Sequence, residues 1–180
     1  MMRAIAAIGW AGALALAGCG GGTTASNSPP APCPRISILA DGSDLTRFRP
    51  GAGQDLAAMT ADARLIGFSA RCDYTRRREG VAVTLSAVFD VERGPAATGA
   101  VADLPFFVAV TDAEDTQVID RREFVARVTF SSNVNRQRVQ SASVTLNFPA
   151  EERLVENHNV RLSFQLTPEE LALNRRRGPR

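Results

Sequence analysis

The chain has 180 residues, 44% of them hydrophobic and 22% charged; that suffices for one domain with a real core and excludes wholesale disorder. All 21 basic residues are arginine, and against 19 acids they leave a net charge of +2, too balanced for a dedicated nucleic-acid binder. One histidine and three cysteines exclude the usual zinc frameworks.

Arg3 is the only charge before Arg35, and Ala4 to Leu16 is an unbroken apolar run. That run is too short to span a bilayer, which takes about 20 residues. A positive start, a short apolar stretch and then small residues is the layout of a secretory signal. It ends in Leu16-Ala17-Gly18-Cys19, which resembles the lipobox of bacterial lipoproteins. The resemblance implies that residues 1–18 are a signal peptide and that Cys19 is lipidated and becomes the mature N-terminus. Gly20 in place of an aspartate implies, by the same resemblance, the outer membrane of a Gram-negative cell rather than the inner one. Several acyl chains on Cys19, palmitate among them, would hold the protein firmly, since each buried methylene contributes about 0.8 kcal/mol.

Residues 19–32 then read as a lipidated flexible linker. The glycines and serines of 20–32 give freedom, and its prolines stiffen the far end. Such a stretch reaches at most about 45 Å, so the folded part stands off a membrane without crossing the periplasm. Removal of Arg3 with the signal lowers the net charge by one.

From residue 33 to 180 the dominant pattern is alternation with period two. Val81, Val83, Leu85, Ala87, Phe89 and Val91 fall on one face, with Thr84, Ser86, Asp90 and Glu92 on the other. A strand puts successive side chains on opposite faces, so this segment covers a core on one side and meets water on the other. Further strands are expected at Ile36 to Ala40 and at Ala63 to Tyr74, the latter with Ile66, Phe68, Ala70, Cys72 and Tyr74 sharing a face. Others are expected at Phe106 to Thr111, Val118 to Phe130, Gln140 to Phe148 and Val160 to Leu166. The charged run Asp120-Arg121-Arg122-Glu123 suggests a bulge or break. Gly53 to Thr60 reads either as a helical turn or as an early start to the second strand. About seven strands predict an all-β fold, an antiparallel two-sheet sandwich of immunoglobulin-like type.

One helix is signalled after the last strand. Thr167-Pro168-Glu169-Glu170 is a capping box with proline at the first helical position. Arg175, Arg176 and Arg177 suit the negative end of the helix dipole. The stretch from Cys33-Pro34-Arg35 to Leu166-Thr167-Pro168-Glu169-Glu170-Leu171 resembles a group of uncharacterised periplasmic lipoproteins of alphaproteobacterial type. The resemblance covers the mature domain and carries no activity with it.

With Cys19 assigned to lipid, Cys33 and Cys72 are an even pair in an oxidising compartment, which predicts a disulfide. Their positions, at the opening of one strand and near the end of the next long one, suggest two strands pairing antiparallel. His158, the sole histidine, has no nucleophile or acid partner visible in the sequence and reads as a solvated loop residue. The acidic turns at Asp41 to Asp44 and Asp112 to Asp115 lack calcium-loop spacing. Arg76, Arg77 and Arg78 lie between two strands, and Arg175, Arg176 and Arg177 near the chain end; both clusters are candidate contacts for an anionic ligand, through arginine's forked geometry.

No catalytic grouping and no metal or cofactor motif is legible. The expectation is a membrane-anchored, periplasm-facing lipoprotein of the cell envelope that acts without catalysis as a structural or protein-interaction module, with no cofactor. Its expected partners are the membrane, through the lipid, and an envelope protein; nucleic acid is not expected. The alternative is a binding module for an anionic ligand such as lipid or lipopolysaccharide phosphate.

Overall fold

The computed structural model describes residues 29–149 and 151–178; the expected signal peptide, Cys19 and the first part of the linker lie outside them. Strand β4 (Gly80–Arg93) sets the centre. Its inward residues Val81, Val83, Leu85, Ala87 and Phe89 are completely buried, as the alternation requires. It is flanked by β3 (Met59–Tyr74) on one side and by β7 (Arg136–Gln140) and β8 (Val144–Pro149) on the other; β2 (Asp44–Phe48) pairs with the first part of β3. The facing sheet has the order β1 (Arg35–Ile38), β9 (Asn159–Phe164), β5 (Val101–Thr111), β6 (Val118–Thr129).

The two inner faces interdigitate around Phe89. Its ring centroid lies 5.4 Å from those of both Phe106 and Phe164, which come from the opposite sheet. Leu104, Val108, Leu162, Leu146 and Val128 close the same core. Full burial of each such side chain stabilises by roughly 1.5–3 kcal/mol. The result is the expected all-β, two-sheet sandwich.

The details depart from the expectation in several places. Among the described residues the sandwich has nine strands rather than about seven. β2 escapes the alternation rule because Asp44 and Thr46, on the face away from the core residue Leu45, are buried yet polar. β7 escapes it because none of its residues is buried. The strand expected from Gln140 to Phe148 is interrupted at Ser141. There the Ser141 hydroxyl accepts the Ala87 N–H at 3.0 Å while the Ser141 N–H donates to the Ala87 carbonyl at 2.8 Å. One serine thus takes both bonds of Ala87, and β7 and β8 pair with separate stretches of β4.

In β3 the expected face is correct only for its second half. A bulge between Leu65 and Gly67 inverts the alternation, so Ala61, Ala63 and Leu65 point inward before it, whereas Ile66 is 38% exposed. In β6 the charged run does not break the strand: Asp120 to Glu123 pair regularly with Val110 to Phe107, and the irregularity falls at Ile119. Nor is the pairing wholly antiparallel, because β1 joins β9 in parallel. Gly53 to Thr60 holds both readings, a single 3-10 turn at Leu56–Ala58 followed by β3 from Met59.

Helix α1 (Glu152–Glu156) precedes β9, and α2 (Pro168–Arg177) follows it. The capping box at α2 is complete: the Thr167 hydroxyl accepts the Glu170 N–H, and the Glu170 carboxylate accepts the Thr167 N–H. Among the described residues no helix is long and apolar enough to cross a membrane.

Candidate interaction surfaces

One end of the sandwich gathers the entry of the chain and several loops. Arg35 opens β1 opposite Asn159, and Asn159 lies opposite Thr111. In the other sheet Tyr74 pairs with Val81, and Gly80 with Pro149. Cys33 and Cys72 are bonded, with Cα atoms 5.8 Å apart, inside the range a disulfide permits. The bond is as expected, but its setting is not: β1 and β3 belong to different sheets, so the disulfide joins the two layers instead of neighbouring strands. Just ahead of it, Pro32 is buried and Ala31 leans on the core.

Arg76, Arg77 and Arg78 form the tip of the β3–β4 hairpin, all three exposed. Thr75 clamps the base of the tip, its N–H and its hydroxyl both donating to the Gly80 carbonyl, at 2.8 and 3.1 Å. Arg77 and Arg78 have φ of 62° and 56°, the left-handed region that costs an L-residue roughly 1–2 kcal/mol. The Arg78 guanidinium lies 4.8 Å from the centre of the Tyr74 ring. The side chains of Arg76 and Arg77 have no hydrogen bond, ion pair or ring contact with the described residues.

The second arginine cluster is differently placed. Arg175 pairs with Asp41 at 2.9 Å, Arg176 donates to the Gln54 amide oxygen at 3.1 Å, and Arg177 to the Thr46 hydroxyl at 3.0 Å. Thr46 lies opposite Asp62 on β3, about 40 Å along that strand from Tyr74. The structure therefore does not bring the clusters together, and it occupies the second one with partners inside the fold.

The other singled-out residues hold the fold. The Nδ1–H of His158 donates to the Leu154 carbonyl, and its ring packs 5.5 Å from that of Phe148, so it is half-buried rather than fully solvated. Asp44 is buried and pairs with Arg64 at 3.2 Å. Asp112 accepts the Thr116 hydroxyl and the Thr116 and Gln117 N–H groups; the Thr116 hydroxyl above all holds its carboxyl below the usual range. Asp115 is clasped by Arg161, whose Nε lies 3.0 Å away, and accepts the Thr111 hydroxyl and the Asn159 amide. Its pKa is lowered to about 2, chiefly by the Arg161 hydrogen bond and then by Thr111. Among the described residues no group of three or more His, Cys, Asp or Glu could hold a metal ion.

Two surfaces were not anticipated. The outer face of the β3–β4–β7 sheet carries cross-strand ion pairs, Arg138 with Asp90 and Arg136 with Glu92, each at 2.7 Å. They floor an open groove of about 540 Å³. The Arg138 hydrogen bond is the main cause that holds Asp90 below its usual range. This arrangement is hidden in the sequence because β7 is. The other surface is β6, which among the described residues pairs as a strand with β5 alone and leaves its second edge without a strand partner. On it Val118, Ile119 and Val125 are 61%, 53% and 60% exposed. Period-two alternation finds such a strand but cannot say that it is an edge.

No family model, no curated protein and no solved structure matches the chain.

Proposed function

We propose that the chain is a lipid-anchored module of the cell envelope that binds a protein partner along the β6 edge and acts without catalysis. The observation that carries this reading is the long unpaired edge with three outward apolar side chains. An edge of that kind presents free backbone N–H and C=O groups, and natural proteins either blunt it or use it to add a strand from a partner. Part of β6 is blunted: the Arg122–Asp120 and Arg121–Glu123 pairs guard one stretch, and Gln137 caps the Thr129 carbonyl. Val125 lies between these guarded stretches. The Leu16-Ala17-Gly18-Cys19 run supports the periplasm-facing anchor, and Gly20 after it supports the outer membrane.

The test uses the full chain in its native envelope. A photo-crosslinking side chain at position Val125 should yield one discrete protein adduct, and the same side chain at Arg71 on the far edge should not. Ile119→Lys should abolish that adduct. Equal adducts at the two edges, or none at Val125, would overturn the partner site. Intact mass should show a mature chain starting at an acylated Cys19; an unmodified terminus would overturn the anchor. A second reading, contact with an anionic ligand, is favoured by the unpartnered Arg76 and Arg77. It does not draw on Arg175, Arg176 or Arg177, which are already engaged.

A further inference from the structure

We propose that the β3–β4 hairpin tip is the membrane-facing end of the domain, and that Arg76, Arg77 and Arg78 bind the headgroup phosphates of anionic phospholipid in the leaflet that holds the acyl chains. This rests on the reading of Cys19 as the lipid anchor.

The first support is where the chain enters. The linker leads to Cys33, and Cys33 is bonded to Cys72. Arg76 follows Cys72 by four residues, at most about 14 Å of chain. The disulfide therefore fixes the tether's attachment beside the tip, whatever the linker does. A tether of at most about 45 Å holds that end of the domain near the lipid surface. Contacts too weak to recruit a free protein become effective there, because the encounter is already intramolecular.

The second support is the distribution of unpartnered charge. Most described arginines are neutralised by neighbours: Arg47 by Glu170, Arg127 by Asp103, Arg161 by Asp115, Arg175 by Asp41. The described arginines whose side chains have no hydrogen bond, ion pair or ring contact with described residues are Arg35, Arg49, Arg76 and Arg77. All but Arg49 lie at the tether end. The tip itself carries three arginines against one acid, Glu79. The whole chain is nearly neutral, and the segments beside Thr111 and Asn159 at the same end carry acids, Glu114 and Glu156 among them, so any attraction to an anionic surface is local to the hairpin tip. Guanidinium groups suit phosphate through paired donors, and the Arg78 guanidinium is held over the Tyr74 ring at the base of the tip.

Each basic residue near an anionic leaflet contributes roughly a five-fold gain in surface binding, so the three together contribute about 100-fold at low salt, and salt screens it. The experiment reconstitutes the full lipidated protein into phosphatidylcholine vesicles with and without phosphatidylglycerol. Hydrogen exchange is then followed at residues 75–80. Protection should rise several-fold on the anionic vesicles only. It should vanish in high salt and in Arg76→Gln/Arg77→Gln/Arg78→Gln. The triple lysine variant should restore most of it, which also shows that substitution at the tip leaves the fold intact. Equal protection on both vesicle types would overturn the proposal, as would protection by inorganic phosphate on neutral vesicles alone. If the protein floats with neutral vesicles but the tip stays unprotected on anionic ones, the tip proposal fails while the anchor stands. If it does not float with either, the anchor itself fails, and this proposal with it.

Discussion

Asp115 lies at φ 58° in the β5–β6 loop, and the Arg161 and Thr111 bonds that hold it lower its pKa from 3.8 to about 2. A carboxylate depressed in the folded state contributes stability that is present above the unfolded pKa and is lost as pH falls through the folded one. Asp115→Asn should therefore be less stable than wild type near neutrality, and the gap should narrow as pH falls from 3.8 toward about 2. Urea unfolding at several pH values checks this; a gap independent of pH would mean that the clasp does not act through charge. Little of this was legible in the sequence, where Asp112 to Asp115 read as an ordinary acidic turn. Arg161 is distant along the chain, and spacing cannot reveal a partner of that kind. The same limit hid the fate of Arg175, Arg176 and Arg177. The exposed Arg76 to Arg78 tip, by contrast, was legible because its position between two alternating segments is a local property.

At the scale of elements, the strands that were legible are those with strict apolar alternation, such as β4 and β9. β2 and β7 were not, because β2 buries polar groups and β7 buries none. The β3 phase was half legible: a bulge inserts one residue and inverts every later side chain, and nothing in Leu65-Ile66-Gly67 beyond the glycine announces it. Helix α2 was legible from its cap, but its docking was not. Beside the Arg175, Arg177 and Glu170 contacts, the docking uses Asn174, whose side-chain amide donates to the Asp41 carbonyl at 2.9 Å and the Asp44 carbonyl at 2.7 Å. Asp44 is the buried residue that begins β2. Asn174→Ala leaves both carbonyls without that donor and should cost about 1–3 kcal/mol, read as a lower urea midpoint with an unchanged slope. Loss of less than about 0.5 kcal/mol would mean that water replaces the amide fully.

At the scale of the whole molecule, neither β1 nor the second half of β3 contains a fully buried residue. β1 has only four residues, none of them buried. Beyond the reach of β2, Phe68 is 36% exposed and Ala70 is exposed. Half-buried side chains such as Ile36, Ile38 and Tyr74 pack on the core there, and the Cys33–Cys72 bond adds a covalent connection between the sheets across a sequence separation of 39 residues. Closing a loop of that size in the unfolded chain is worth about 4 kcal/mol in the chain-entropy model, against a typical total stability of roughly 5–15 kcal/mol. Cys33→Ser/Cys72→Ser should therefore remain folded but lose about 2–4 kcal/mol. Its urea slope should steepen, because the unfolded chain is no longer looped and exposes more surface. The loss should also be uneven in place. Amides of Arg35 to Ile38 should exchange faster by a larger factor than those of β4, since β1 is held by β9 alone once the bond is gone. Uniform acceleration across both sheets would show that the bond acts only on the unfolded state. Acceleration confined to β1 would instead establish it as the fastener that keeps the tether's attachment beside the arginine tip.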